Sequence, residues 1–384
     1  MQFKTHFCLV SAQAAPNLLP LLDEAVKPEK VVLLVTPQMK DKADYLEAVI
    51  RTKGVKVEQQ EFIVSDDFDA MQERLLELIA AESAEPEHIA LNATGGTKWM
   101  AIAAQEVFRL NDSPVFYVDV DQDQVLFVDK NREPHKLAQS VDLNSYIQAY
   151  GYEMRETSEQ VGLKPELREL CQQLALKVGQ WQSALGQLNL LASVAQDKKT
   201  LSVSIGDTLG RQPEDPHLNV LLREFEHAGV LRTEGAKVIF ADEDSQVFAN
   251  GGWLELYVNS LLNSLKGDGV IQNKHYMNLH IQRKGATSHN EVDACFMAGN
   301  RLHLIECKTK RMAGKGTAQM TTDTMYKLDS ISELGGLGSK AMLVSYRPLN
   351  DADKQRAKDL RIKVVEGRKI QGLKTELIKW IQGS

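Results

Sequence analysis

The stretch Glu291-Val292-Asp293-Ala294-Cys295-Phe296-Met297-Ala298-Gly299-Asn300-Arg301-Leu302-His303-Leu304-Ile305-Glu306-Cys307-Lys308 decides how the C-terminal third of this 384-residue chain folds. Two apolar-rich runs flank Gly299-Asn300, a residue pair suited to a tight hairpin turn. With that turn Ala298 faces Arg301, and the same register sets Asp293 opposite Glu306 and Glu291 opposite Lys308. Facing residues of a hairpin have Cβ atoms about 4.5–5.5 Å apart, close enough for like charges to repel. Two facing carboxylates therefore need a raised pKa or a cation between them. Glu306 and Lys308, two apart, share one face of their strand. The expected product is three carboxylates and one ammonium on a single sheet face, the chemistry of a divalent-metal phosphodiesterase. The plainer alternative is an exposed hairpin face carrying ordinary charges.

The surroundings of the hairpin favour the first reading. Gly252-Trp253-Leu254-Glu255-Leu256-Tyr257-Val258 opens an amphipathic helix that runs to about Leu265. After the hairpin come a helical stretch (Thr317 to Leu334), a strand (Ala341 to Ser345), another helix, a short strand (Arg361 to Val365) and a final helix. Asp293, twelve intervening residues and then Glu306-Cys307-Lys308 resembles the Asp…Glu-x-Lys signature of the PD-(D/E)XK nuclease superfamily, and the element order is similar to its core. That resemblance implies that Asp293 and Glu306 hold one or two hard cations, Mg²⁺ or Mn²⁺, through oxygen ligands. It implies that Glu255 serves as a further metal or water ligand, and that Lys308 orients the attacking water or stabilises the transition state. Glu291 is expected to pair with Lys308. Lys310, Arg311 and Lys315 suit phosphate contact, although a short charge run is commonly just a solvated loop.

Charge is divided unevenly along the chain. Residues 246–384 hold 21 Lys+Arg against 13 Asp+Glu, a net +8, whereas residues 1–245 hold 24 against 39, a net −15. A basic module on an acidic remainder is expected to meet nucleic acid through its C-terminal part. Hydrophobic content of 43% and charged content of 25% are those of a globular protein. Cys8, Cys171, Cys295 and Cys307 have neither CxxC nor zinc spacing, which points to a reduced, cytoplasmic setting. The run Phe7-Cys8-Leu9-Val10 is too short for a signal peptide, and no stretch approaches the roughly 20 apolar residues of a membrane span, so no membrane association is expected.

Residues 1–150 alternate strand-like runs (Thr5–Val10, Val31–Val35, Val55–Gln60, His88–Asn92, Val115–Asp119) with helical patterns (Leu18–Val26, Lys42–Lys53, Asp67–Ala81, Trp99–Leu110). Such alternation predicts right-handed βαβ crossovers and a largely parallel, Rossmann-like sheet. Ligands of these sheets bind beyond the carboxyl ends of the strands, near helix N-termini. Ser11-Ala12-Gln13 and Asn92-Ala93-Thr94-Gly95-Gly96-Thr97-Lys98 fall at that edge. The second loop fits neither GxxxxGK[ST] nor GxGxxG, which disfavours a triphosphatase or a dinucleotide enzyme.

The pattern of strand, Asn-x-Thr-Gly-Gly-Thr-Lys and helix resembles the signature loop of CARF domains, sensors of the cyclic oligoadenylates made in type III CRISPR defence. The resemblance implies ligand contacts from Asn92, Thr94, Gly95, Gly96, Thr97 and Lys98, from Ser11, Ala12 and Gln13, and from Thr36 and Pro37 after the second strand. CARF followed by PD-(D/E)XK is similar to the Card/Can-type nucleases, and this likeness covers essentially the whole chain. It implies a homodimer holding one cyclic ligand, cyclic tetra-adenylate the leading candidate, and a DNA or RNA substrate.

Between the two parts, residues 151–245 are expected to be mostly helical, with amphipathic helices at Pro165–Val178 and Pro216–Gly229 and a hairpin over Val230–Phe240. That order suggests a winged-helix-like module. Glu214, Asp215, Glu224 and Glu226 dilute Arg223, so a spacer or dimer element fits better than a DNA reader. The expected architecture is therefore an α/β multi-domain chain: a CARF domain (1–150), the middle module (151–245) and a nuclease domain (246–384). Its expected function is that of a ligand-activated, metal-dependent endonuclease. The alternative is a non-enzymatic, ligand-responsive regulator that binds nucleic acid through the middle module.

Overall fold

The computed structural model describes residues 3–64, 67–82, 85, 88–129, 131–138, 140–155, 163–287, 289–309, 324–331, 336 and 338–383. Strands β1 (Thr5–Leu9), β2 (Lys30–Val35), β3 (Lys56–Glu61), β4 (Ile89–Asn92) and β5 (Val115–Asp119) form a parallel array in the order β3-β2-β1-β4-β5. β6 (Gln124–Phe127) and β7 (His135–Lys136) extend it antiparallel. Strand order reverses between β1 and β4, the point at whose carboxyl edge such sheets bind ligands.

Helix α1 (Ala15–Leu18) is only four residues long and gives way to a 3₁₀ turn at Leu19–Leu22, rather than the single helix expected from Leu18 to Val26. Pro20 accounts for the difference, because it lacks the N–H that an α-helix would use. Three helices follow the expected pattern: α2 (Lys40–Thr52), α3 (Phe68–Ala81, capped by Asp67) and α4 (Lys98–Leu110, capped by Thr97). A further helix, α5 (Leu143–Ala149), is not among those expected.

The chain then adds β8 (Tyr152–Arg155) to a different sheet. This second sheet runs β16-β15-β14-β13-β12-β8, and β8 pairs antiparallel with β12 (His275–Arg283). β13 (His289–Ala298) and β14 (Arg301–Lys308) form the expected hairpin, while β15 (Lys340–Ser345) and β16 (Ile362–Glu366) continue parallel to β14. Between β8 and β12 lie α6 (Pro165–Leu176), α7 (Val178–Asp197), β9 (Ser202–Ser204), α8 (Ile205–Leu209), α9 (Leu218–His227), β10 (Leu231–Glu234), β11 (Lys237–Phe240), α10 (Glu243–Val247) and α11 (Trp253–Gly267). The sheet β10-β11-β9 closes this middle section. Helical residues 324–331 (α12), α13 (Asp351–Asp359) and α14 (Leu373–Gln382) complete the chain.

The second sheet is buried on both faces. Leu279, Val292, Cys295, Leu302, Leu304 and Leu343 share one continuous core with Leu33, Val35 and Leu46 of the N-terminal part and with Met325 and Leu328 of α12. The opposite face (Ala294, Phe296, Ile305, Met342, Val344) packs on α11 and on Trp181 and Leu185 of α7. All four cysteines are free and buried. Among the described residues, no helix is long and apolar enough to cross a membrane.

The hairpin register matches the one read from Gly299-Asn300. Both turn residues have φ of +54°, and the ladder runs from Ala298 opposite Arg301 to Ala294 opposite Ile305. There it stops, because the Asp293 carboxylate accepts the Cys307 N–H at 2.6 Å in place of a main-chain partner. The expected pairing of Glu291 with Lys308 is therefore absent. Glu291 faces His280 across β12, 3.9 Å from its Nε2, and Lys308 turns to Glu306.

Candidate functional site

Where the hairpin ladder stops, the freed strand ends hold a compact charged cluster. Asp293 is 8% exposed and Glu306 2%. Lys308 Nζ donates to Glu306 Oε1 at 2.7 Å, and Lys327 Nζ from α12 reaches both carboxylate oxygens at 3.2 and 3.3 Å. Burial, reinforced by the charge of Glu306 and opposed by Lys308, pushes the Asp293 pKa up to about 6. Glu255, in the first turn of α11, is pushed up to about 7 by burial and then by the charge of Asp293. Burial alone would lower the Lys308 pKa, yet Glu306 and Asp293 carry it above its ordinary value. A cluster in which carboxylates are forced toward neutrality is one that an added cation would relieve.

Two features seat Glu255 beside this cluster. Gly251 has φ of +122°, closed to side chains, and any Cβ on it would overlap Thr309 Oγ1 and lie 3.0 Å from Thr309 Cβ. That contact presses the start of α11 onto the residue after Lys308. Trp253, fully buried, stands edge-on to Tyr346 at 5.4 Å, and Tyr346 N donates to Lys308 O at 2.8 Å.

The cluster's donors are hard oxygens, which suits Mg²⁺ or Mn²⁺. Among the described residues no three His, Cys, Asp or Glu side chains converge as a finished metal cage. A cation that keeps several waters and borrows substrate phosphate oxygens needs no such cage. Lys310, Arg311 and Lys315 lie outside the described residues.

The second candidate site is a cavity of about 450 Å³ at the carboxyl edge of the first sheet. Ser11, Ala12, Thr36, Pro37, Gly96 and Thr97 line it, joined by Met39, Ile63 and Met100. The remaining sequence candidates lie elsewhere. Asn92 is buried, and its Nδ2 donates to Pro16 O and Asn17 Oδ1, each at 2.9 Å. Its Oδ1 accepts from Thr94 Oγ1 at 2.7 Å, and Thr94 Oγ1 in turn accepts from Val118 N at 2.7 Å. These two residues shape the loop. A Cβ on Gly95 would meet the Leu9 carbonyl, so its small size serves contact with β1. Lys98 is exposed at the start of α4, one residue beyond the lining Thr97. Gln13 packs against Gly336, in the segment between α12 and β15.

Gly336 is one of several links between the sites. Asn300 of the hairpin turn donates to Asp123 Oδ1 at 2.8 Å and accepts from Val141 N at 2.9 Å, and Arg301 pairs with Asp121 at 2.6 Å. Sequence reading missed Lys327, Thr309 and Gly251, as well as Met39, Ile63 and Met100. Only Gly251-Gly252 left a local signal, a glycine pair immediately ahead of a helix.

Two family models match the chain. One describes a Card1 CARF domain and covers residues 5–146; the other describes a Card1-like endonuclease domain and covers residues 242–383. No curated protein matches it. Among solved structures, protein VC1899 from Vibrio cholerae is 27% identical with a TM-score of 0.85, the match covering 98% of both chains. Can2 from Sulfobacillus thermosulfidooxidans, solved in complex with cyclic tetra-adenylate, is 28% identical with a TM-score of 0.79, over 99% of this chain and 97% of that one. A type III CRISPR defence DNA nuclease activated by cyclic oligoadenylate is 19% identical with a TM-score of 0.53, over 90% of this chain and 46% of that one, a likeness of fold alone.

Proposed function

Because this chain is a CARF-domain nuclease of the Card/Can type, we propose that it is a divalent-metal-dependent endonuclease switched on by a cyclic oligoadenylate in type III CRISPR antiviral defence. The observation that carries this reading is the buried pair Asp293 and Glu306 with Lys308 and Lys327 against them. A non-enzymatic regulator would have no use for such a cluster, since burying charge is costly unless it performs a task. The mixed sheet with α11 at its side supports a PD-(D/E)XK assignment.

Asp293 and Glu306 would hold Mn²⁺ or Mg²⁺, which when bound supplies Lewis acidity and lowers the pKa of a coordinated water. Glu255, ionising near neutral pH, is suited to take the proton from the attacking water on its carboxylate. Lys308, held cationic, stabilises charge as it develops on the phosphate. Lys327, bonded to both Glu306 oxygens, would compete with a cation for that carboxylate.

The 450 Å³ cavity is our proposed sensing pocket, with Ser11, Thr36, Gly96 and Thr97 at the ligand and Lys98 at its rim. Cyclic tetra-adenylate, the compound in the Can2 complex, is the proposed activator. Leu76, Trp99, Ile102 and Leu110 are exposed on α3 and α4, which supports pairing of two sensor domains in a homodimer. Functional boundaries near residues 150 and 245 remain our proposal, with β8 structurally part of the nuclease sheet. The helices and hairpin of the middle section support a winged-helix-like spacer. A cytoplasmic setting agrees with four unpaired thiols.

The test is cleavage of labelled DNA and RNA with Mn²⁺, with and without cyclic tetra-adenylate, by the native protein and by Glu306→Gln. Cleavage that needs both additives and disappears in the variant is expected. No cleavage under any combination, or undiminished cleavage by Glu306→Gln, would overturn the reading.

A further inference from the structure

The sensor and the middle section pack against opposite faces of the second sheet. Leu33, Val35 and Leu46 of the sensor share the core that Cys295, Leu302 and Leu304 enter. The core on the side of α7 and α11 holds, among the described residues, none from positions 1–150. A change at the sensing cavity therefore meets the β13–β14 hairpin before it meets the middle section.

The closed end of that hairpin is gripped by the sensor. Asn300, 3% exposed, donates from Nδ2 to Asp123 Oδ1 at 2.8 Å and accepts the Val141 N–H on Oδ1 at 2.9 Å. Arg301 Nη2 reaches Asp121 Oδ1 at 2.6 Å. Both aspartates sit in the turn between β5 and β6, which is braced from within. Asp119 Oδ1 accepts the Asp121 and Gln122 N–H groups at 3.0 and 3.1 Å, and Asp123 O accepts the Leu137 N–H at 2.8 Å. Val118, one residue before Asp119, donates its N–H to Thr94 Oγ1 at 2.7 Å. Thr94 belongs to the loop whose Gly96 and Thr97 line the sensing cavity. One hydrogen bond and one braced turn thus join the wall of the cavity to the tip of the hairpin.

The open end of the same hairpin carries Asp293 and Glu306, and the ladder from Ala298–Arg301 to Ala294–Ile305 is unbroken. From Asn300 to Asp293 the strand spans roughly 23 Å at its ordinary rise per residue. Over that length a tilt of roughly 2–3° moves the far end by about 1 Å, a displacement worth on the order of a hundredfold in rate at reacting groups. We infer that the β13–β14 hairpin is the lever that regulates the nuclease cluster: the β5–β6 turn of the sensor moves its closed end, and the middle section is bypassed. The two arrangements that such regulation requires are two tilts of one stiff element. The inference rests on the endonuclease reading and names the route by which that site is controlled.

The test compares cleavage by the full-length protein in Mn²⁺ with and without saturating cyclic tetra-adenylate; the ratio of the two rates is the readout. Asn300→Gly keeps a residue at ease with φ of +54° and strips both bonds to the sensor. It is expected to lower the ratio by about fivefold or more, the low end of ordinary coupling. Calorimetry is expected to show cyclic tetra-adenylate bound at the native affinity or tighter, because a decoupled sensor does no work on the hairpin. Asp121→Arg and Arg301→Asp are each expected to lower the ratio, and the double exchange to recover part of it. Gln371→Ala, which removes a 2.7 Å bond to Leu176 O of the middle section, is expected to leave the ratio unchanged. A native ratio in Asn300→Gly, or an equal loss in Gln371→Ala, would overturn the inference, while cleavage by the native protein keeps the nuclease reading standing. If Asn300→Gly melts far below the parent, the charge exchange decides, and no recovery in the double variant overturns the inference. Absence of ligand-stimulated cleavage by the native protein would instead remove the nuclease reading and this route with it.

Discussion

Replacing Gly251 with alanine tests how tightly the nuclease cluster depends on the start of α11. The backbone there has φ of +122°, a region that costs a residue with a Cβ on the order of 1–3 kcal/mol. The new methyl group would also overlap Thr309 Oγ1, so α11 and the end of β14 must move apart. Thr309 follows Lys308 and α11 carries Glu255, so the two flanks of the cluster separate. A displacement of about 1 Å at reacting groups costs on the order of a hundredfold in rate. The fold should survive with its melting temperature lowered by only a few degrees, since each kcal/mol is worth roughly 2–4 °C even in a shorter chain. The assay is Mn²⁺-dependent cleavage at saturating cyclic tetra-adenylate, with calorimetry for ligand affinity. Gly267→Ala is the control, because a Cβ there meets nothing within 4 Å. Gly251→Ala cutting within twofold of the native rate would refute the argument that this contact sets the catalytic geometry.

Three further outcomes are expected. Lys327→Met removes a cation that competes for Glu306, and an exchange of about 1 kcal/mol predicts a roughly fivefold fall in the Mn²⁺ concentration needed for half-maximal cleavage; an unchanged or higher requirement would show that Lys327 assists rather than blocks. Asn92→Leu takes the Nδ2 donor from Pro16 O and Asn17 Oδ1 and the acceptor from the Thr94 hydroxyl, which predicts a loss of about 3 kcal/mol in stability together with weakened ligand binding, read by denaturant melts and calorimetry. His6 and His303 are fully buried, which lowers their pKa values to about 3 from 6.5. The unfolded chain therefore binds more protons between pH 6.5 and 3, so stability is whole above pH 6.5 and falls as pH drops, by up to about 1.4 kcal/mol per pH unit per histidine; His303→Phe should flatten that slope in a melting series, and an unaltered slope would show that His303 is not its source.

Local chemistry made the hairpin legible. Gly299-Asn300 encodes a turn with two positive φ values, and its register carries Asp293 and Glu306 to within reach of each other's charge, one step past the last ladder pair. The parallel strands of the N-terminal part were equally plain, because fully buried strands read as apolar runs such as Val31–Val35. β12 escaped notice even though Met277, Leu279 and Ile281 alternate with Asn278, His280 and Gln282, because polar residues interleave with its buried positions. Lys327 could not be found from a motif: it reaches Glu306 only because Met325, Leu328 and Ile331 seat α12 on the sheet. The roles of Asn92 and Thr94 were hidden for the opposite reason. Their side chains could serve a ligand or the loop, and only the partners Pro16, Asn17 and Val118 reveal which bonds are already made.

The pairing of β8 with β12 has a consequence for biogenesis. Arg155 lies opposite His280, which leaves the ribosome 125 residues later. At about 5–20 residues per second, the sensor's trailing strand waits roughly 6–25 seconds for its neighbour, with a row of unpaired amides and carbonyls open to other chains. A premature stop in the middle section would make that wait permanent. Polar side chains on β8, Glu153 and Arg155 among them, discourage stray pairing in the interval. Any attempt to graft this sensor onto another effector inherits the same orphaned strand unless the cut falls before Tyr152.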